Sequence, residues 1–122
     1  MAHNPAFLAI VNDAKSRVKE MNIDEYMASA KSGKGPILID VREDSEWQAG
    51  RVKGAMHISK GVIERDIETK VPDKKTPLLL YCGGGFRSAL AADALNKMGY
   101  TDVTSLDGGW RALQSSGLPL ER

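Results

Sequence analysis

Cysteine is nearly absent from this chain, which has a single one, Cys82, among 122 residues. One cysteine excludes an internal disulfide and a metal site built from several cysteines. A thiol that stays free fits a reducing compartment. The scarcity of cysteine therefore predicts a protein that folds without covalent cross-links and keeps its one thiol available.

An excess of either charge is also missing, as are long apolar runs. Seventeen basic and sixteen acidic residues are interspersed and leave a net charge of +1. Such a balance gives neither a nucleic-acid footprint nor a polybasic membrane patch. No stretch approaches the roughly 18 apolar residues of a membrane span. The first residues lack a basic segment and carry Asn12 and Asp13 inside their apolar stretch, unlike a signal peptide. We therefore expect a soluble, cytoplasmic protein that binds no nucleic acid and no membrane.

The chain does contain short apolar runs that alternate with amphipathic stretches. The runs predict strands and the stretches predict helices. The predicted strands are VKEM (18–21), PILIDV (36–41), AMHIS (55–59), PLLLYC (77–82) and TDVTSL (101–106). The predicted helices are 5–17, Asn22 or Asp24 to Ala30, 42–50, 61–70, 87–99 and 110–117. This order indicates βαβ units, and hence an α/β fold whose central, mostly parallel sheet of about five strands is covered on both faces.

The predicted sheet locates the functional site. Ligands of open parallel α/β sheets bind outside the carboxyl ends of the strands. Four segments leave those ends, namely Arg42–Glu43, Ser59–Lys60, Cys82 to Arg87 and Asp107 to Trp110. We expect them to converge at one edge of the sheet.

The third of these segments, CGGGFRS, combines the cysteine with three consecutive glycines. Gly83, Gly84 and Gly85 can adopt positive φ and turn several N–H groups inward as an anion-binding nest. The helix that begins near Arg87 adds the positive end of its dipole. A sulfur in that nest is favoured as the thiolate, the nucleophilic form. The alternative is an inert cysteine that serves as a small core residue, but an ordinary turn does not need three glycines.

The same loop resembles the active-site loop of rhodanese-type sulfurtransferases. Cys82, Gly85 and Arg87 fall where that family has its catalytic cysteine, a glycine and often an arginine. Further resemblances are LIDVRE (38–43), EWQAGRVKGAMHIS (46–59) and LDGGW (106–110). Together they resemble one complete rhodanese domain, residues 21–122, with a helical extension at 1–20. The resemblance implies the three-layer α/β/α fold of that family.

The resemblance also implies a reaction. Cys82 would take sulfur from a donor such as thiosulfate, become a persulfide, and pass the sulfur to cyanide, a small thiol or a protein thiol. The loop from Gly83 to Ser88 would hold the persulfide and the departing anion, so its site residues are Cys82, Gly83, Gly84, Gly85, Phe86, Arg87 and Ser88. No metal or organic cofactor is implied, and the protein could be a monomer or a homodimer.

The residues around the loop are expected to be mainly structural. Arg87 should pair with an acid such as Glu46 or Asp40, with anion contact secondary. Asp40 and Arg42 should form a supporting ion pair. Phe86 and Trp110 should line the pocket or pack locally, His57 should be structural, and Lys60 and Arg65 should lie on a solvated face. Since Arg87 is the only cation in the loop, thiosulfate as the physiological donor is open to question, and a bulkier donor would find room.

Two other functions compete with sulfur transfer. A phosphatase or arsenate reductase of the same fold needs five residues between its cysteine and arginine, whereas four separate Cys82 from Arg87. A non-catalytic rhodanese-like binding or regulatory module commonly lacks the cysteine. For the N-terminal helix we expect packing on the sheet, with a dimer or partner surface as the alternative.

Overall fold

The fold was analysed in a computed structural model that describes residues 3–33 and 35–122. The helices are α1 (Pro5–Lys15), α2 (Ile23–Lys31), α3 (Asp44–Ala49), α4 (Ile63–Lys70), α5 (Phe86–Lys97) and α6 (Gly109–Gln114). The strands are β1 (Lys19–Met21), β2 (Ile37–Asp40), β3 (Arg51–Val52), β4 (Met56–His57), β5 (Leu78–Tyr81), β6 (Val103–Leu106) and β7 (Leu120–Glu121). None of the helices in the described ranges is long and apolar enough to cross a membrane.

Five strands form one parallel sheet in the order β1-β6-β5-β2-β4. Side chains alternate across it, as strand geometry requires. Leu78 and Leu80 face a core with α4 and α5. Leu79 and Tyr81 face a second core with α2 and α6. The predicted α/β/α arrangement is confirmed, and β5 lies in the middle of the sheet.

A local sequence signal explains where α2 begins. Asn22 accepts a hydrogen bond from the Glu25 N–H, and the Glu25 carboxylate accepts one from the Asn22 N–H. This reciprocal pair is a capping box, and it starts α2 at the predicted place.

Strands β3 and β7 form a second, two-stranded antiparallel sheet. This sheet was not predicted, because two-residue strands leave no periodic pattern to detect.

Helix α1 packs on α5 rather than directly on the sheet. Val11 and Ala14 are buried, and Arg17 donates two hydrogen bonds to Asp93 of α5, at 2.8 and 3.1 Å. Buried residues of α5 include Ala89, Ala92 and Asp93, and Asp93 is the one that Arg17 binds. The division of the chain near residue 20 stays a prediction.

Candidate active site

Cys82 directly follows β5 and is 1% exposed. The chain turns through the three glycines, and α5 begins at Phe86. Gly85 precedes that helix with φ 102°, a left-handed conformation that a side chain would strain. A Cβ there would also lie 3.3 Å from the carbonyl oxygen of Leu106. The sequence therefore needs glycine at 85 to bring the start of α5 over the sulfur.

Three donors surround the sulfur of Cys82. The backbone N–H of Gly85 lies 3.1 Å from Sγ and that of Ser88 lies 3.4 Å away, while the Ser88 hydroxyl is at 3.5 Å. Burial is the largest single effect on the pKa of Cys82, and it raises the pKa. The hydrogen bonds from Ser88, Gly85 and Gly84 together outweigh it, so the pKa of Cys82 lies below its usual range. The loop is a cradle for a thiolate.

The hydroxyl of Ser105 contacts the Ser88 hydroxyl of this cradle. Ser88 Oγ and Ser105 Oγ are 2.8 Å apart, and both residues are fully buried. The Ser105 hydroxyl can donate to Ser88, which leaves the Ser88 proton free for a thiolate. Sequence reasoning included Ser88 but missed Ser105. A serine among the apolar residues of a buried strand was the available signal.

Arg87 lies beside the cradle, and its guanidinium is paired with an acid. Its guanidinium donates to both carboxylate oxygens of Glu46, at 2.7 and 3.1 Å. This pair raises the pKa of Arg87 and lowers that of Glu46. Glu46 is thus the partner among the two acids expected, and the one cation of the loop is already neutralised.

Asp40 and Arg42 form a buried ion pair at 2.7 Å. Arg42 also donates to the carbonyl oxygen of Gly50 at 2.7 Å and lies over the ring of Trp110, 4.4 Å from its centroid. The pair therefore ties the end of β2 to α3 and α6. Neither residue lines the cavity at Cys82, so both act through the framework, and Trp110 packs locally.

His57 lies away from the sulfur cradle. Its Nε2 is 2.9 Å from the Arg42 carbonyl oxygen, and its ring stacks on Trp47 at 4.8 Å. His57 therefore does not supply a base for Cys82. Its contacts agree with the structural role expected of it. Arg65 is exposed and pairs with Asp66 at 2.7 Å, as a solvated residue would.

Two adjoining cavities open at this edge of the sheet. A cavity of about 200 Å³ is lined by His3, Cys82, Gly83, Gly84, Phe86, Arg87 and Arg111. A second, of about 310 Å³, is lined by Phe7, Val41, Glu43, Ser59, Lys60, Gly61 and Arg87. The four predicted segments do converge, because Glu43, Ser59 and Lys60 line one cavity together with Arg87. Trp110 N also donates to Cys82 O at 2.7 Å. Lys60 lines a cavity rather than a plain surface.

Residues far from Cys82 in the chain also line these cavities and were missed from the sequence, among them His3, Phe7 and Arg111. His3 and Phe7 come from the N-terminal segment and pack on Phe86, with ring centroids 4.7 and 6.4 Å away. Arg111 comes from α6. These residues are distant in the chain from Cys82, so only their position in the fold reveals them. Within the described part of the chain, no group of three or more His, Cys, Asp or Glu side chains could hold a metal ion.

The cysteine loop, the parallel sheet and the layered helices are those of a rhodanese-like domain, and the family model of that description matches residues 23–116. The chain belongs to this family. Thiosulfate sulfurtransferase GlpE of Vibrio cholerae is 32% identical over 102 residues, which cover 83% of this chain and 94% of that protein. Thiosulfate sulfurtransferase PspE of Escherichia coli is 39% identical over 70 residues, 57% of this chain and 67% of PspE.

Other relatives carry this domain within longer proteins. The tRNA uridine(34) hydroxylase of Protochlamydia amoebophila is 36% identical over 92 residues. The match covers 70% of this chain but 28% of that protein. The chain therefore spans little more than a quarter of this relative's length.

Solved structures agree with this assignment. A Rhodopseudomonas palustris protein, described as of unknown function and as a possible tyrosine phosphatase, has a TM-score of 0.83 at 28% identity. The match covers 99% of this chain and 98% of that one. A rhodanese-like domain protein of Staphylococcus aureus has a TM-score of 0.75 at 27% identity over 86% of this chain and all of its own.

Proposed function

We propose that this protein is a sulfurtransferase that carries sulfane sulfur on Cys82. The observation that carries the proposal is the cradle, in which Gly85 N–H, Ser88 N–H and the Ser88 hydroxyl surround a buried sulfur whose pKa is lowered. Cys82 is one of the residues that line an open cavity. The similarity to two proteins named thiosulfate sulfurtransferases supports the same chemistry.

The proposed reaction has two steps. The Cys82 thiolate attacks the outer sulfur of a donor such as thiosulfate, a sulfur–sulfur bond to Sγ forms, and the bond to the sulfonate sulfur breaks. Sulfite leaves with the electron pair, and the persulfide anion stays in the cradle. An acceptor such as cyanide or a thiolate then attacks the outer sulfur and releases Cys82 as thiolate. The balanced steps need no metal or organic cofactor, and ping-pong kinetics are expected.

The conditions of the reaction are part of the proposal. A buried thiol beside a cavity of about 200 Å³ suits a small donor and a small acceptor, and a protein thiol would have to extend its side chain into that cavity. A free thiol works in a reducing compartment, so the cytoplasm is the proposed location.

Phosphatase activity is the second candidate, because the Rhodopseudomonas palustris relative is described as a possible tyrosine phosphatase. Two features weigh against it here. Four residues rather than five separate Cys82 from Arg87, and the guanidinium of Arg87 is paired with Glu46. A phosphate in the loop would have to compete with Glu46 for the guanidinium of Arg87.

Intact-mass measurement tests the proposal. Protein incubated with thiosulfate, or with another sulfane donor, should gain the mass of one sulfur atom, and cyanide should remove it. Cys82→Ser should abolish the gain and keep the unfolding midpoint, because the serine fills nearly the same volume. Absence of any gain with every donor would refute sulfur transfer. Hydrolysis of an aryl phosphate that depends on Cys82 would favour the phosphatase instead.

A further inference from the structure

The cavity at Cys82 has an unbalanced charge. None of the seven residues that line it is acidic. Arg87 contributes no net charge, because Glu46 occupies its guanidinium. The remaining permanent cation is Arg111. An anionic occupant is therefore favoured over a neutral or cationic one.

Arg111 is held at this place by the backbone of the sulfur loop. Its N–H donates to Gly83 O at 3.3 Å, and the preceding Trp110 N–H donates to Cys82 O at 2.7 Å. The first residues of α6 are thus fixed against the residues that carry the nucleophile. Arg111 is thereby placed among the residues that line the cavity at Cys82.

The guanidinium of Arg111 is also uncommitted, in contrast to most arginines of the chain. Carboxylates pair with Arg17, Arg42, Arg51, Arg65 and Arg87. In residues 3–33 and 35–122, no hydrogen bond or ion pair is formed by the Arg111 side chain. Its planar fork of donors matches a small oxyanion.

The donors of the cradle act on the sulfur of Cys82, so the oxyanion part of a sulfur donor needs a separate cation. The loop N–H groups of Gly85 and Ser88 point at Sγ, so they hold the thiolate and then the persulfide. The sulfonate part of a thiosulfate donor lies on the far side of the transferred sulfur, because the attack is in line. Negative charge grows there as the bond to the leaving sulfite breaks, and that charge needs its own donor.

We propose that Arg111 determines donor specificity by binding the oxyanion part of the sulfur donor and stabilising it as it leaves. This inference rests on the proposed sulfur transfer at Cys82. Thiosulfate was questioned as a donor because Arg87 is the only cation of the loop. A second cation at the cavity, Arg111, comes from α6. Small donors with an oxyanion leaving group, thiosulfate above all, are the class selected.

The test compares Arg111→Gln with Arg65→Gln, which removes the same charge from an exposed residue that lines neither cavity. With thiosulfate, Arg111→Gln should lower kcat/KM for persulfide formation by about 10- to 100-fold, as expected for one lost charged hydrogen bond. Arg111→Lys should recover part of the rate. The control should match the wild type, and all the variants should keep the wild-type unfolding midpoint.

Two further readouts separate this role from a structural one. Once loaded at high thiosulfate, Arg111→Gln should deliver sulfur to a neutral thiol acceptor at the wild-type rate. In the Cys82→Ser background, calorimetry should show that thiosulfate and sulfite bind about tenfold or more weakly after Arg111→Gln.

The outcomes are distinct. If the wild type loads sulfur but Arg111→Gln loads as fast as Arg65→Gln, the role of Arg111 is wrong and sulfur transfer stands. If both half-reactions slow equally, Arg111 supports the loop rather than the donor, which also overturns the inference. If no donor loads the wild type, the proposed sulfur transfer is wrong. If thiosulfate and sulfite then also bind equally well to Cys82→Ser and to Cys82→Ser with Arg111→Gln, the role of Arg111 is wrong as well.

Discussion

The chain of hydroxyls behind the nucleophile is the main feature at the scale of single residues. Ser88 Oγ lies 3.5 Å from Cys82 Sγ and 2.8 Å from Ser105 Oγ. With a thiol, Sγ–H donates to Ser88. With a thiolate, the direction reverses, and Ser105 donates to Ser88 while Ser88 donates to sulfur. Each hydroxyl proton then has an acceptor within the chain, which favours the charged form of the cysteine.

Removing the Ser105 hydroxyl should therefore raise the pKa of Cys82. For Ser105→Ala we expect this rise because the hydrogen bond from Ser88 to the thiolate is weakened. The pH profile of alkylation by iodoacetamide measures it. The variant should react more slowly at neutral pH and as fast as the wild type at high pH, where both are thiolates. Ser115→Ala, at an exposed position, is the control. An unshifted profile would contradict the hydroxyl chain.

Among the elements, α6 and the sulfur loop form one unit. Gly109 begins α6 with φ 49°. A Cβ at this residue would lie 2.9 Å from the carbonyl carbon of Gly83 and closer still to the carbonyl oxygen of Cys82. Both atoms belong to backbone that cannot move without displacing the nucleophile. Glycine at 109 is thus what allows α6 to approach the loop.

Gly109→Ala tests this close approach. We expect a loss of about 2 to 4 kcal/mol in the free energy of unfolding, from left-handed strain plus the collision. Urea denaturation measures the loss. Gly117→Ala separates the two causes, because Gly117 also has positive φ (87°) but open space around its Cβ, so it should cost about 1 to 2 kcal/mol. Equal losses at the two sites would mean that the approach of α6 is not constrained.

Elements with a periodic or capping signal were predicted from the sequence, and elements defined by contacts across the fold were not. The apolar run at β5 and the capping box at Asn22 encode their structures locally. Strands β3 and β7 are too short to carry a pattern. In the site, Cys82 and its glycines lie in one segment and could be found together. Arg111 could not, because its position depends on how α6 packs.

For the whole molecule, the attachment of α1 to α5 is the feature that the family pattern does not provide. Asp93 of α5 is 8% exposed and accepts two hydrogen bonds from Arg17, which follows α1. This hydrogen bonding is the main reason why the pKa of the Asp93 carboxyl lies below its usual range, whereas burial acts in the opposite direction. Because that pKa is lower in the folded protein, the ionised carboxylate stabilises the fold at pH values above its unfolded pKa. This stabilisation is lost as the pH falls through the folded pKa.

Asp93→Asn should consequently destabilise the protein at pH 7, and the difference from the wild type should shrink as the pH falls through the lowered pKa of Asp93, because the wild-type carboxyl then also becomes neutral. Chemical denaturation across this range provides the measurement. Asp102→Asn, which removes a carboxylate paired with Lys19 at 2.7 Å on an exposed surface, should have a smaller effect because that pair is solvated. Equal effects of the two substitutions, or a difference that persists in acid, would rule out this role for Asp93.

The position of His3 has a practical consequence for anyone who purifies or immobilises this protein. His3 lines the Cys82 cavity and stacks on Phe86, so a peptide fused immediately upstream would emerge beside the entrance to the nucleophile. An affinity tag at that end would crowd the entrance, and a polyhistidine tag would also place several imidazoles next to it. Fusion after Arg122, which follows β7, leaves the neighbourhood of His3 in the sequence unchanged.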